Sequence, residues 1–171
     1  IFWTLGAADL QSALATKFST IKSAEVKKEF PDKLAVHFEE YDAWGVLCHG
    51  EPEECFWIDR SGVAFDLAPG FSGAIVPKIR DERERDVHLG ERQLSENIMR
   101  LITFFNEKAP DDPDLQSVQF TLAQKDATIR VTTRAGWSIL LLENTGPENA
   151  YKNLRVALGT EVKAKIAQLE Y

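Results

Sequence analysis

Residues 21 to 41 read IKSAEVKKEFPDKLAVHFEEY, two runs of alternating apolar and polar residues around a short Pro31-Asp32 turn. Ala24, Val26 and Phe30 fall near one face of the first run. Leu34, Val36 and Phe38 fall on one face of the second. A period of two marks a strand with one buried face, and two such runs across a turn predict a β-hairpin. Leu10, Ala13, Leu14 and Phe18 precede it at i, i+3, i+4 and i+8, the spacing of one helix face. A helix on a hairpin is a small module, too small to enclose a catalytic cleft.

Working outward, 44–47 and 55–58 read as short strands, and Asp59-Arg60-Ser61-Gly62 is a turn because Gly supplies a positive φ. Strands are expected again at 63–65 and 74–79. The mixed-sign run DERERD, 81–86, reads as a solvated loop or strand end. Leu94, Ile98, Leu101, Ile102 and Phe105 step at helical intervals over 94–107, and APDDPD, 109–114, ends that helix with two prolines. Val118, Phe120 and Leu122 alternate, as do Ile129, Val131 and Thr133, then Trp137, Ile139 and Leu141. With Ala135-Gly136 as a turn, they predict three consecutive antiparallel strands. Gly146-Pro147 opens another helix with Tyr151, Leu154 and Leu158 inward, and 161–169 reads as a further one. The organisation splits near Asp42. The fold class is α+β: a helix plus hairpin, then a larger unit with an antiparallel sheet and flanking helices.

A length of 171 residues suits one large domain or two small ones. The net charge of -7 speaks against nonspecific nucleic-acid binding, which draws its affinity from Lys and Arg on phosphates. No apolar run reaches the roughly twenty residues a membrane span needs. The chain opens on Ile1-Phe2-Trp3 without Met or a signal-peptide pattern and closes on Leu169-Glu170-Tyr171, as expected of a piece of a longer protein. Cys48 and Cys55 flank HGEPEE. Opposite positions of a hairpin bring two such cysteines within disulfide reach, and the alternative is two reduced, partly buried thiols. The short loop between strand-like runs favours the disulfide, which implies an oxidising, extracytoplasmic compartment. Cys48, His49 and Cys55 lack a fourth ligand at a usual zinc spacing, so no metal centre is expected.

No catalytic signature emerges. His37, His49 and His88 are far apart, and no GxSxG elbow, Walker loop or GxGxxG is present. Glu51, Glu53 and Glu54 form one acidic group and Asp111, Asp112 and Asp114 another. Acid/base work needs one carboxyl in a desolvated pocket, whereas both groups sit in polar, Pro-containing loops. Neither an enzyme nor a cofactor is expected. An extracytoplasmic hydrolase using a carboxylate pair stands as the remote alternative. Of Trp3, Trp44, Trp57 and Trp137, Trp57 is the candidate for an exposed apolar contact, since Phe56 and Ile58 occupy the opposite strand face.

IKSAEVKKEFPDKLAVHFEEYDAWGVL resembles the POTRA-to-β-domain segment of the FtsQ family of bacterial cell-division proteins, called DivIB in some lineages. The matching positions are Ile21, Ala24, Val26, Lys28, Phe30, Pro31, Asp32, Leu34, Val36, Phe38 and Glu40. CFWIDRSGVAF resembles the family's next strand-turn-strand at Phe56, Ile58, Asp59, Gly62 and Phe65. AQLEY looks like the lead-in to its late "Y-I-D-L-R" strand. The Cys48–Cys55 loop and DERERD depart from the family pattern. The resemblance implies a partial POTRA domain over 1–41, lacking its first strand, and an FtsQ-type β-domain over 42–171 with its last strand truncated. It implies a non-enzymatic divisome scaffold of the inner membrane, held by one N-terminal transmembrane helix and working outside the cytoplasm. FtsB-like and FtsL-like partners would join by β-strand addition. Leu169 and Tyr171 would begin the partner-binding strand, with Lys125 contributing. A POTRA protein of outer-membrane assembly or secretion is the other reading of this resemblance; it predicts further POTRA repeats, which the non-repeating 42–171 region disfavours.

Overall fold

The hairpin forms where the two alternating runs predict it. The structure is a computed structural model, described here for residues 6–29, 32–69, 76–108, 117–124, 127–136 and 138–158. Strand β1 (Ile21–Glu29) pairs antiparallel with β2 (Lys33–Glu40), from Glu29↔Lys33 out to Ile21↔Glu40, as a two-stranded sheet of its own. Directly opposed residues share a face, so Ala24, Val26, Leu34, Val36 and Phe38 make one apolar surface. That surface is only half covered. Val26 is 6% exposed, but Leu34 and Val36 are each 39% exposed and Phe38 60%. The expectation of a buried face on the second run is therefore corrected. Helix α1 (Ala7–Lys17) packs along β1, and among the described residues no element packs broadly on β2.

The rest of the chain builds one eight-stranded sheet. Its strands are β3 (Gly45–His49), β4 (Glu54–Ile58), β5 (Val63–Leu67), β6 (Lys78–Asp81), β7 (Glu91–Arg92), β8 (Ser117–Leu122), β9 (Thr128–Thr133) and β10 (Ser138–Leu142). Their spatial order is β10-β9-β8-β6-β3-β4-β5-β7. The meander β8-β9-β10 is antiparallel, as its alternation predicts. The sheet as a whole is mixed, because β6 lies parallel to both β3 and β8. The expected α+β class with a mostly antiparallel sheet holds, and the two parallel contacts arise because β6 returns beside β3 in the same direction. β3 is the central strand, and Val46, Leu47 and Cys48 are all buried, so both of its faces are covered.

Two helices lie on one sheet face. α2 (Glu96–Lys108) buries Ile98, Met99, Leu101, Ile102 and Phe105, and α3 (Pro147–Leu158) packs beside it. The Ser95 hydroxyl accepts a hydrogen bond from the Ile98 N–H at 3.3 Å, satisfying a donor that the first helical turn leaves without a partner. These helices meet Leu47, Ile79, Phe120, Ile129, Val131, Ile139 and Leu141 from the strands in a single core. Phe105, Phe104 and Tyr151 pack edge to face within it. At the β4–β5 turn, the Asp59 carboxylate accepts hydrogen bonds from the N–H groups of Ser61 and Val63, both at 2.9 Å. Gly62 sits at φ 82° with its carbonyl accepting from Gln93 N–H at 2.7 Å. A Cβ there would stand 2.8 Å from the Leu94 carbonyl oxygen, so only glycine fits.

The two sheets touch through one residue in particular. The Tyr41 ring stacks on Phe65 of β5 at 5.3 Å between centroids, while its N–H donates to the Thr20 carbonyl at 3.0 Å.

Candidate functional site

The ends of the large sheet differ in kind. A strand at an edge presents unpaired N–H and C=O groups, and soluble proteins commonly blunt such edges with charge, brevity or cover. β7 is two residues long and both are charged, Glu91 and Arg92. β10 has the sequence SILLL, without a charge, proline or bulge, and pairs with β9 in continuous register from Ser138↔Thr132 to Leu142↔Thr128. Among the described residues no strand lies on its other side. Ile139 and Leu141 point into the core, while Leu140 and Leu142 are 64% and 63% exposed on the face away from the helices. Arg130 lies opposite Leu140 and is also exposed. The arrangement offers a backbone template bordered by two leucines.

A second feature is a charged cleft of about 570 Å³ at the carboxyl ends of β3 and β6, lined by His49, Glu51, Glu53, Arg80, Asp81 and Arg83 among others. Asp81 ends β6 with its side chain fully buried. Arg83 grips it from Nε and Nη2, each at 2.8 Å, and Arg85 adds Nε at 3.0 Å and Nη2 at 2.7 Å. Burial pushes the Asp81 carboxyl up, but the hydrogen bonds from Arg83 and Arg85 and the Arg83 charge outweigh it, so it is held below the usual carboxylate range. The solvated reading of 81–86 is corrected at its first residue: the run folds back so that two of its own arginines cover the buried Asp81 carboxylate. Asp81 is thereby locked ionised, the opposite of what a general acid needs.

The sites expected from sequence fall as follows. Cys48 and Cys55 are register partners in β3 and β4 and are joined by a disulfide. His49 Nδ1 lies 3.1 Å from the Asp81 carbonyl oxygen, whereas His37 and His88 are exposed. Glu51 is 91% exposed, and Glu53 pairs with Lys78 at 3.1 Å. Trp57 is half-buried opposite Val46 and so is not a fully exposed contact, and Trp44 packs against the core. Lys125, Leu169, Tyr171, Asp111, Asp112, Asp114, Trp3, Trp137 and the expected 161–169 helix lie outside the described residues. The leucines of β10 were not singled out by sequence reasoning, although three consecutive leucines after Ile139 signal an apolar outer face as well as an inner one.

Residues 1–41 match the POTRA domain, FtsQ-type. This POTRA match spans α1, β1 and β2 and stops at Tyr41, one residue past the hairpin. It covers 41 of the 171 residues and does not reach β3 or beyond. No curated protein matches the chain significantly. A POTRA domain of this type is a feature of membrane-associated cell-division proteins that generally act as scaffolds. Among the described residues, no helix is long and apolar enough to cross a membrane.

Proposed function

We propose that this chain is the extracytoplasmic part of an FtsQ/DivIB-like scaffold of the bacterial divisome. In this reading residues 1–41 are the POTRA part and 42–171 the β-domain, and an upstream transmembrane helix holds the protein in the inner membrane. It binds FtsB-like and FtsL-like proteins by adding their strands to its sheet and makes or breaks no bond itself. The observation that carries this is the β10 edge: five uncharged residues with no strand partner among the described residues, bordered by Leu140 and Leu142. The FtsQ-type POTRA match over residues 1–41 supports the choice of a cell-division partner. A strand laid along such an edge gains main-chain hydrogen bonds worth about 0.5–1.5 kcal/mol each, and side chains on alternate positions supply specificity. Leu169, Tyr171 and Lys125 are proposed as further partner contacts.

Photo-crosslinking in the membrane-anchored full-length protein tests the reading. A crosslinker at Leu140 or Leu169 captures the FtsB-like partner, and one at Arg92 on the blunted edge does not. Replacing both Leu140 and Leu142 by Lys weakens capture while leaving the thermal midpoint unchanged, since neither side chain is in the core. Absence of any capture from the β10 side, or equal capture from Arg92, overturns the proposal.

A further inference from the structure

The β3–β4 hairpin carries chemistry that scaffolding does not use. Cys48 and Cys55 are directly opposed, and alternation with Leu47 and Phe56 places them on the sheet face away from α2 and α3. Glu53 lies in the loop they close. One atom from each residue, the two sulfurs and a carboxylate oxygen of Glu53, lie within 4.8 Å of one another. Cys48 is fully buried, Cys55 is half-buried, and the Glu53 side chain is 37% exposed, so the trio opens to water on one side, into the charged cleft. Two sulfurs and one carboxylate form a donor set for a borderline-soft divalent ion, with water as the fourth ligand. His49 does not belong to it. Strand alternation sends its ring to the other face, where Nδ1 meets the Asp81 carbonyl at 3.1 Å.

We propose that reduction of the Cys48–Cys55 disulfide opens a site for a thiophilic divalent cation of the zinc class, held by both sulfurs and the Glu53 carboxylate. The reductant is a dithiol. It delivers two electrons and two protons to the disulfide, leaves two protein thiols, and is itself oxidised to a disulfide. Each thiol then releases its proton to solvent as its thiolate binds the cation. Two metal–sulfur bonds of about 2.3 Å at a tetrahedral angle hold the sulfurs about 3.8 Å apart. Opposed side chains on paired strands reach that separation by rotating about χ1 and keep the β3–β4 register. Lys78 stands 3.1 Å from Glu53 and Arg80 3.8 Å, and their charge opposes a bare cation. Two thiolates and a carboxylate bring three negative charges against two on the ion, so one excess charge remains for these neighbours to balance. Cation and disulfide use the same sulfurs, so each excludes the other, and occupancy follows the redox state of the hairpin.

The test uses the full chain, reduced by a dithiol, freed of it without oxygen, and titrated with Co²⁺. The reduced protein binds one Co²⁺ and shows thiolate-to-cobalt charge-transfer absorption, which Zn²⁺ abolishes by displacement. The oxidised protein and Cys55→Ser show none. Glu53→Gln keeps the absorption but binds at least about tenfold more weakly. Thermal melting covers the case in which reduction loosens the fold: Zn²⁺ raises the midpoint of the reduced wild type in a concentration-dependent way and leaves the oxidised protein unmoved. Absence of charge transfer together with an unmoved midpoint in the reduced chain overturns the site. So does equal affinity in Glu53→Gln.

Discussion

Replacing Asp81 by Asn removes one negative charge from a fully buried position and leaves Arg83 and Arg85 facing each other across it. The carboxylate accepts four guanidinium hydrogen bonds of 2.7–3.0 Å and one from the Arg83 N–H at 3.1 Å. An asparagine keeps one acceptor and turns an NH₂ donor toward donors. Loss of one partner from a fully buried ion pair costs about 3–5 kcal/mol. Here the arginine side chains are 30% and 29% exposed, so water takes over part of their solvation and about 2–3 kcal/mol is expected. For a chain of this length that lowers the thermal midpoint by roughly 5–10 °C.

The pH dependence separates this reasoning from a packing effect. The folded carboxyl is held below its ordinary value, so its contribution is complete above the unfolded value of about 3.9 and declines as pH falls below it. Each pH unit below that point removes about 1.4 kcal/mol until the folded value is reached. Asn does not titrate. Calorimetric melts of wild type and Asp81→Asn should therefore show a constant gap from pH 7 to 5 that narrows as the pH falls below the unfolded value. A gap that stays constant down to pH 3, or one under about 0.5 kcal/mol at pH 7, refutes the account.

Two further changes test the core and its turn. Gly62→Ala places a Cβ 2.8 Å from the Leu94 carbonyl at φ 82° and should cost about 3 kcal/mol in urea unfolding; a loss below about 1 kcal/mol contradicts the turn geometry. Phe105→Ala empties a fully buried site between the sheet and Tyr151 and should cost about 3–5 kcal/mol, whereas Val156→Ala on the exposed side of α3 should change stability by less than about 0.5 kcal/mol.

Local periodicity made much of this fold readable. The hairpin, α1, α2, α3 and the β8-β9-β10 meander rest on residues close in sequence, where a period of two or of 3.6 has one outcome. The parallel β3–β6 and β6–β8 contacts join segments separated by loops, and no local pattern records which strand becomes whose neighbour. β7 is too short for any period. Val36 and Phe38 show the limit of patterning: alternation reports which face is apolar, and only packing decides whether something covers it. Asp81 shows a second limit. A run of charges reads as solvated unless its arginines turn back onto one carboxylate, as Arg83 and Arg85 do. At the sites, the spacing of Cys48 and Cys55 was informative because a hairpin turns a short separation into a cross-strand pair. The β10 edge was not, because Ile139 and Leu141 alone satisfy the pattern and hide the meaning of Leu140 and Leu142.

Among the described residues, the two end strands of the eight-stranded sheet, β7 and β10, differ in what they offer a further strand. At β7, pairing offers a newcomer only the backbone of Glu91 and Arg92, too little to hold a strand in register against the cost of ordering it. At β10 the available length is five residues, and the two outward leucines add apolar contact on the face away from α2 and α3. Among the described residues, β10 is thus the edge with the length and apolar border that the proposed strand addition needs. An outward leucine pair at an unblunted edge lowers solubility, and nothing in the core requires it, since Ile139 and Leu141 already fill the inner face. Lysine at 140 and 142 would serve β10's folding equally well and would blunt the edge. Leucine at both positions is what the proposed strand addition calls for: an apolar border on the outer face beside an unblunted edge.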